Sequence, residues 1–425
     1  MNNLILSLLL VLVCGWSQAA NVFVRDGGTC TSNCNDWNNA FDQLSSAETA
    51  AARGDTIYVA DGTYTGVTFN TAASGTTLIT VKKCTASDHG TETGYVATYC
   101  DGQAVLSGTL SFTSSYWTLD GQYRNENNLK DALAYGFAAT NIRTSIFDGP
   151  PCGDNITVKY IKLETGGPSS GEVIYLGGFA SGDAGCNNWY IGYSYLFNSQ
   201  LVQLPGADNL TFEHNYQYQT WSKECIRGQV SALNMIVRFN VFENCCRDDD
   251  NPGGGCTAEV ALFDHDPNPE TRYNGFRAYG NVTWKHMAQG KSDASIFAEA
   301  TDCLIYNNTV MDDGTGQGKF SCISGGSSAI RNNITYFPNG MTSGCLATTC
   351  DNNSNYTSSP PLVNTATGDF HLTAALAGVS LASPYNVDVD GVTRGGDGTW
   401  DRGAFEFVEG GGGGGAIGSG RMRLR

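Results

Sequence analysis

Five stretches of this chain read LTFEHNY (residues 210–216), MIVRFNV (235–241), FRAYGNV (276–282), CLIYNNT (303–309) and SAIRNNI (328–334). Each has apolar or small residues five and three positions before an asparagine, and WYIGYSY (189–195) has Ser194 in that place. The steps between these aligned positions are 21, 25, 41, 27 and 25 residues. Steps of this size, with two-residue alternation inside each unit, are typical of a stacked repeat. The sequence therefore predicts a solenoid rather than a closed globule.

Each unit has room for three short strands. The second strand carries the apolar pair, and the asparagine ends it. The third strand begins with an apolar or β-branched residue directly after the asparagine, at Tyr216, Val241, Val282, Thr309 and Ile334. The predicted first strands are Val173–Leu176, Leu201–Leu204, Cys225–Arg227, Val260–Phe263, Ser295–Phe297 and Ser321–Ile323. With charged residues at only 15% of the chain, an all-β, turn-rich protein is expected.

The two ends of the predicted solenoid read differently from the repeats. Residues 36–53 have apolar residues at helical spacing, which predicts a helix that covers the open end of the first coil. The solenoid with this cap is expected over residues 20–354, and residues 355–408 are expected to form a C-terminal capping segment. Residues 409–425 contain six consecutive glycines and three arginines, and we expect this tail to be disordered.

Several stretches resemble a known superfamily. GDTIYVADGTYTG (54–66), the turns NNT (307–309) and RNNI (331–334), and WDRGAFEF (400–407) are similar to segments of right-handed parallel β-helix proteins of the pectate-lyase-like superfamily. The resemblance covers nearly all of residues 20–407 and implies an all-β, right-handed parallel β-helix. It implies no single activity, because this superfamily contains lyases, hydrolases, esterases and tailspikes. The alginate-lyase-like branch has a lysine base where this chain has Gln229.

The N-terminal segment and the cysteines predict export. Residues 1–19 have the apolar run and the small residues of a signal peptide, and no later stretch is long and apolar enough to span a membrane. Beyond Cys14 the chain has 15 − 1 = 14 cysteines, which suits an oxidising compartment. We therefore expect a secreted or extracellular protein, with the periplasm or the cell surface as alternatives. Disulfides are expected between neighbouring coils, with Cys84–Cys100 and Cys345–Cys350 as local loops.

The charge limits the partners. A formal net charge of −17 disfavours nucleic acid, which needs a basic surface. Seven asparagines lie in Asn-x-Ser/Thr sequences, which favour either N-glycosylation or a structural role in the repeated turns. Since several of them fall in or beside the repeated turn, we favour the structural role.

The step of 41 residues between Asn240 and Asn281 is the main irregularity of the repeat. It contains only one first strand, so the extra residues are expected to leave as two loops on either side of that strand, Cys245–Thr257 and Asp264–Asn274. Long loops on a rigid scaffold commonly carry function. We therefore predict a groove on the outer face of this coil.

The first loop is a candidate metal site. Asp248, Asp249 and Asp250 supply the hard oxygen ligands that Ca²⁺ prefers. The alternative is a solvated loop tip held between cysteines. The sequence has no EF-hand spacing.

The second loop and two cations form the candidate catalytic set. Asp264, His265 and Asp266 combine two carboxylates with a titrating imidazole, as glycoside hydrolysis or general-base chemistry requires. Arg227 alternates with an inward Ile226 and should point outward, and Lys285 follows the third strand of the enlarged coil. A lyase needs a base and a cation that neutralises the substrate carboxylate, for which Arg227 and Lys285 are the candidates. The alternative is that these are turn caps and surface charges.

Two functions fit these observations. The leading interpretation is a secreted protein that binds an extended polysaccharide and cleaves it, as a polysaccharide lyase or a glycoside hydrolase. Clusters of tyrosine over two coils, Tyr190 to Tyr218, would offer rings on which sugars stack. The alternative is a non-catalytic adhesin, surface fibre or tailspike-like structural protein, consistent with the absence of a lyase or polygalacturonase signature.

Overall fold

The computed structural model describes residues 19–90, 93–141, 146–148, 152–165, 172–177, 186–199, 202–205, 207–220, 225–229, 233–245, 260–262, 274–286, 296–298, 300, 302–312, 320–322, 327–338 and 347–409. One α-helix, α1 (Leu44–Ala50), and two 3-10 helices (Ala97–Tyr99 and Thr365–Thr367) lie within these residues. The strands in chain order are β1 (Asn21–Val24), β2 (Thr56–Val59), β3 (Gly62–Phe69), β4 (Ile79–Lys83), β5 (Ala104–Phe112), β6 (Trp117–Asp120), β7 (Phe137–Asn141), β8 (Ile146–Asp148), β9 (Ile156–Lys159), β10 (Ile161–Thr165), β11 (Ile174–Leu176), β12 (Tyr190–Gly192), β13 (Tyr195–Ser199), β14 (Val202–Pro205), β15 (Thr211–Glu213), β16 (Tyr216–Thr220), β17 (Ile226–Gln229), β18 (Ile236–Arg238), β19 (Val241–Glu243), β20 (Val260–Leu262), β21 (Phe276–Tyr279), β22 (Val282–His286), β23 (Ile296–Ala298), β24 (Cys303–Tyr306), β25 (Thr309–Asp312), β26 (Phe320–Cys322), β27 (Ala329–Arg331), β28 (Ile334–Tyr336), β29 (Thr349–Asp351), β30 (Ser354–Tyr356), β31 (Leu362–Asn364) and β32 (Asp369–Leu372).

Two long parallel sheets run the length of the described solenoid. Sheet A has twelve described strands in the order β1-β2-β4-β6-β9-β12-β15-β18-β21-β24-β27-β29. The second sheet has eighteen described strands in two rows. Row B contains the strands that directly follow sheet A in each coil: β3, β5, β7, β10, β13, β16, β19, β22, β25, β28 and β30. Row C contains β8, β11, β14, β17, β20, β23 and β26. Each strand pairs with its equivalent one coil away, so the predicted parallel β-helix is confirmed.

The strand positions follow the sequence pattern closely. The third strands start at the five predicted residues, and the first strands agree to within one or two residues at each end. The register pairs equivalent residues, for example Phe212 with Val237 and Val237 with Ala278. These three side chains are fully buried and belong to the core that fills the inside of the solenoid. Burying one such apolar row along stacked coils is what holds the repeat together.

The repeated asparagines form a buried ladder between sheet A and row B. Asn215, Asn240, Asn281, Asn308 and Asn333 are fully buried. Each side-chain oxygen from Asn240 onward accepts hydrogen bonds from the backbone and side-chain nitrogens of the preceding asparagine, at 2.9–3.2 Å. The structural interpretation is therefore confirmed for Asn281 and Asn333, which lie in glycosylation sequences.

The residue before each ladder asparagine turns the chain. His214, Phe239, Asn307 and Asn332 have φ of 53°, 56°, 54° and 58°, in the left-handed region. This conformation is uncommon outside glycine, and Gly280 occupies the equivalent place in the enlarged coil with φ of 66°. The two-residue turn is thus the same in every one of these coils.

The N-terminal helix is shorter than predicted. Instead of spanning 36–53, it covers Leu44–Ala50 and buries Leu44 and Ala47. The preceding residues bond elsewhere, because Trp37 N donates to Thr93 O at 3.1 Å and Phe41 N donates to Phe23 O at 2.8 Å. Tertiary hydrogen bonds therefore override the helical spacing there, and the capping role of the helix stays a prediction.

Two segments cover the outer face of row B. The first, residues 121–136, connects β6 to β7 and packs Leu129 and Tyr135 against Tyr195 and Tyr216. The second, residues 362–407, runs back along the flank and places Phe370 against Trp284, with ring centroids 5.3 Å apart. We call them the inner strap (121–136) and the outer strap (362–407). A second hydrophobic cluster fills the space beneath both.

Disulfides join neighbouring parts of the solenoid. The predicted Cys84–Cys100 bridge is present, as are Cys225–Cys245 and Cys303–Cys322, which each follow the one-coil spacing. Cys30–Cys34 and Cys152–Cys186 are also bonded. Cys345, the expected partner of Cys350, lies outside the described residues, as do the predicted signal peptide up to residue 18 and the tail from residue 410.

Candidate functional site

The extra residues of the enlarged coil lie before and after one row C strand in the chain. Asn240 and Asn281 are 41 residues apart, yet they are adjacent in the ladder, with Asn240 N donating to Asn281 Oδ1 at 3.1 Å. In the described residues between them, β20 is the single row C strand. The chain enters β20 from residues 244–259 and leaves it through residues 263–275. Both predicted insertions therefore flank one strand of row C.

Arg227 lies on the outer face of row C beside this coil. In β17, Ile226 is fully buried in the core, whereas the alternating Arg227 is half-buried and faces away from the core. Its register partners are Gln203 in β14 and Ala261 in β20. The structure therefore places Arg227 where the alternation predicts, directly next to the strand between the two insertions.

A disulfide fixes one edge of this area. Cys225 precedes β17 and Cys245 follows β19, and their Cα atoms are 5.6 Å apart. Both side chains are buried. The bridge fixes Cys245, three residues before Asp248 in the chain, and Cys225, directly before Ile226.

The remaining predicted residues fall partly outside the described residues. Asp248, Asp249, Asp250, Asp264, His265 and Asp266 lie outside them entirely. Lys285 belongs to β22, whose register with β25 is irregular between Thr283 and His286, and its side chain lies outside them. In the chain, Asp248–Asp250 precede the row C strand β20, and Asp264–Asp266 follow it. Lys285 precedes the next row C strand, β23. The roles predicted for all of them stay predictions.

A second cluster lies on row B, under the inner strap. Lys130 Nζ contacts Glu243 Oε2 at 2.7 Å, and Tyr216 donates a hydrogen bond to the same carboxylate. The side chain of Glu243 is 1% exposed and that of Lys130 is 30% exposed. Burial, followed by the Glu243 charge, raises the pKa of Tyr216 well above its ordinary value, so this hydroxyl stays a donor.

Aromatic rings border this cluster. Lys130 Nζ lies 5.6 Å from the Tyr218 ring and 5.4 Å from the Trp284 ring. Tyr218 stacks on Phe197 with centroids 5.8 Å apart, and both rings are half-buried. Of the tyrosines predicted to stack on sugars, Tyr195 and Tyr216 are buried under the inner strap, whereas Tyr218 remains partly exposed.

A third cluster lies on the outer face of sheet A. Glu213 accepts hydrogen bonds from Tyr190 OH at 2.7 Å and from Arg238 Nε, and Arg238 Nη1 donates to Tyr279 OH at 2.7 Å. Next to it, His214 stacks on Tyr193 with centroids 4.7 Å apart. Burial lowers the pKa of His214 to about 4, so its ring is neutral at pH 7.

Sequence reasoning missed the last two clusters for different reasons. Glu213, Arg238 and Tyr279 each stand two residues before a ladder asparagine, so the repeat alone aligns them on one face. Lys130 comes from a segment without repeat register, and no sequence signal pairs it with Glu243.

The described residues contain no group of three or more His, Cys, Asp or Glu side chains that could hold a metal ion. The calcium ligands predicted from the sequence are not among these residues, so calcium remains a prediction. No helix in the described part of the chain has the length and apolar character needed to cross a membrane.

Comparison with known proteins supports the fold. No family model matches the sequence, and no curated protein matches it at a significant level. Among solved structures, the chain is similar to the pectate lyase Pel9A, with a TM-score of 0.53 and 14% identity over 92% of this chain and 97% of that one. It is also similar to a rhamnogalacturonan lyase, with a TM-score of 0.50 and 10% identity over 91% and 96%. The chain thus has the parallel β-helix fold seen in these two structures.

Proposed function

We propose that the protein is a carbohydrate-active enzyme that binds an extended acidic polysaccharide across row C and cleaves it as a lyase. The observation that carries this proposal is the outward Arg227 on β17, adjacent in register to the one strand flanked by two long insertions. A cation on the outer face of a sheet, beside a strand that long chain segments precede and follow, suits a chain-like anionic substrate. The fold similarity to two structures named as lyases agrees with it.

In elimination, a base removes the proton next to the sugar carboxylate, and the glycosidic oxygen then leaves. Arg227 would neutralise the carboxylate and stabilise the charge that develops when the proton is lost. Lys285 and His265 are the candidate bases, and Asp264 and Asp266 are candidates for orienting them. Ca²⁺ on Asp248, Asp249 and Asp250 would add a second positive charge beside the substrate carboxylates.

The proposal includes export from the cell. Five disulfides in the described residues support folding in an oxidising compartment, since such bonds are rare in the cytosol. The net charge of −17 makes a bridging cation useful for holding an anionic glycan.

The test is incubation of the full chain with a panel of acidic and neutral glycans, with Ca²⁺ or with a chelator. Ultraviolet absorbance of an unsaturated uronate is the expected result. New reducing ends without that absorbance would replace the lyase by a glycoside hydrolase. Binding without any cleavage would favour the adhesin, and neither binding nor cleavage would overturn the carbohydrate proposal.

A further inference from the structure

A fully buried lysine contacts a carboxylate at the N-terminal end of the solenoid. Lys83 is the last residue of β4, and its Nζ lies 2.6 Å from Oδ1 of Asp61, which follows β2 in the preceding coil. The side chain of Lys83 is 0% exposed and that of Asp61 is 21% exposed. The amine also donates to the carbonyl of Cys84 at 3.0 Å. An amine and a carboxyl group are thus held against each other with little water.

The neighbouring turns fix this pair from several sides. Asp61 N donates to Tyr99 O at 2.7 Å, and Gly102 N donates to Asp61 Oδ2. A Cβ atom on Gly102 would lie 3.0 Å from Asp61 Oδ2, so glycine permits this close approach. From the following coil, Gln122 Nε2 donates to Lys83 O at 2.6 Å.

A disulfide brings a second carboxyl group to the pair. Cys84, next to Lys83, is bonded to Cys100, next to Asp101. Burial raises the pKa of Asp61 against the opposing effect of Lys83, and the neighbouring Asp101 raises it further. Burial likewise lowers the pKa of Lys83, against the attraction of Asp61. Burial therefore works against the charged form of both groups, and the contact between them works in favour of it.

We propose that Lys83 and Asp61 condense into an intramolecular isopeptide bond, with Asp101 transferring the protons. The Lys83 Nζ lone pair adds to Cγ of Asp61, and the new C–N bond replaces the C–OH bond of the protonated carboxyl group. Asp101 accepts a proton from the nitrogen and gives one to the departing hydroxyl, which leaves as water. An amide and one water form from one amine and one acid, so no oxidant or other reactant is required. Fixed proximity lowers the barrier to such a reaction.

The bond would reinforce the N-terminal end of the solenoid, where strands open more readily than in the middle. A covalent link between residues 61 and 83 joins β2 to β4, the second and third strands of sheet A, beside the Cys84–Cys100 disulfide. Such a link restricts the unfolded chain in the same way as a disulfide, but it resists reduction.

The experiment is peptide mass spectrometry of the reduced full chain after cleavage at aromatic residues. Cleavage after Tyr58, Tyr64, Phe69 and Tyr95 removes residues 65–69, so the bond leaves residues 59–64 attached to residues 70–95. The expected product is this branched peptide, lighter than its two parts by one water, about 18 Da. Recovery of the two peptides separately, with a free Lys83 amine, would overturn the proposal and leave a buried ion pair.

Three variants test the chemistry. Lys83→Arg keeps the positive charge but should yield no branched peptide. Asp101→Asn keeps both reacting groups and should reduce the bonded fraction at least tenfold while circular dichroism shows a folded chain. Asp397→Asn, at an exposed acid in the outer strap, is the matched control and should leave the bond intact. A fully bonded Asp101→Asn protein would remove Asp101 from the reaction.

Discussion

Asn240 and Asn281 are joined by two hydrogen bonds, from the backbone nitrogen and from Nδ2 of Asn240 to Oδ1 of Asn281, although 41 residues separate them. The asparagine ladder therefore passes through the enlarged coil without a break. All extra residues of that coil leave from either side of β20, and sheet A and row B stay in register. Sheet A and row B thus form a continuous wall across the 41-residue step.

Replacing Asn281 by alanine should destabilise the protein by about 3 kcal/mol. The side chain is fully buried, accepts two hydrogen bonds from Asn240 and donates two, to Val237 O at 2.8 Å and to Asn308 Oδ1 at 3.0 Å. Its loss leaves buried donors without partners, which costs more than the net value of the bonds. Thermal unfolding of Asn281→Ala measures the effect.

The matched control is Asn127→Ala, since Asn127 is exposed in the inner strap. This variant should unfold within about 0.5 kcal/mol of the unmodified protein. Equal unfolding of both variants would mean that the ladder contributes nothing specific to stability.

Removing the cation on row C should abolish most activity. If Arg227 neutralises the substrate carboxylate, Arg227→Ala should lower kcat/KM at least about 100-fold. Arg227→Lys should retain part of it, because a charge remains without the planar fork of donors. Initial rates on the glycan identified in the panel give both values.

Arg331→Ala serves as the control for this series. Arg331 lies on the outer face of sheet A, where its Nε contacts Asp351 Oδ1 at 3.0 Å, away from row C. Its kcat/KM should match that of the unmodified enzyme. An Arg227→Ala enzyme as active as Arg331→Ala would exclude Arg227 from the reaction.

Lys130→Met should release the inner strap. Glu243 is almost fully buried and would keep its Tyr216 bond but lose its cation, which costs about 3 kcal/mol. We expect a lower unfolding temperature and faster proteolytic cutting within residues 121–136. Lys162→Met is the control, because its partner Glu164 at 2.6 Å is 28% exposed, against 1% for Glu243, and the pair should contribute under about 1 kcal/mol.

The outer strap should loosen at high pH. His371 Nδ1 lies 2.6 Å from Asp369 Oδ1, and its Nε2 lies 2.7 Å from Asp390 Oδ2. Burial alone would lower the pKa of His371, but these hydrogen bonds outweigh it and raise the pKa to about 9.

Because the folded protein binds this proton more tightly than the unfolded chain, the stabilisation is complete below pH 6.5 and lost as pH rises through about 9. The loss is on the order of 3 kcal/mol. Unfolding temperatures between pH 6 and 10 should fall more steeply for the unmodified protein than for His371→Gln. Parallel curves would contradict this.

Protonation of His214 should destabilise the protein at low pH, whereas loss of the His371 proton destabilises it at high pH. Its pKa of about 4 means that the unfolded chain takes up a proton first. Its contribution is therefore complete above pH 6.5 and is lost as pH falls toward 4. His214→Asn, which tolerates the left-handed backbone at φ of 53°, should show a flatter profile in this range. An unchanged slope would show that His214 is not the titrating group.

The repeat could be predicted from the sequence because one residue pattern recurs in six consecutive coils. Each of them combines an alternating apolar pair with an asparagine, or with Ser194 in the first, and this fixes strand starts such as Val241 and Val282. Alternation within β17 likewise fixes the outward position of Arg227. The helix extent was wrong because Phe41 bonds to Phe23, a contact that local spacing does not encode.

The clusters outside the core were harder to predict because they join residues without common register. Lys130 reaches Glu243 from a segment inserted between β6 and β7, and Lys83 meets Asp61 across a turn closed by a disulfide. Such contacts depend on how the irregular segments pack against the folded solenoid. A periodic sequence pattern therefore does not predict them.

The outer strap sets an order for assembly. The coils are synthesised one after another, and each can stack on the preceding coil as it emerges from the ribosome. Tyr385 can contact Tyr279 and Tyr306 only after all of the coils have been synthesised. Until then the rings of Tyr279, Tyr306 and Trp284 lack their final cover. A nascent chain would therefore be most prone to aggregation just before the outer strap is synthesised. A chaperone would then have these exposed rings to cover.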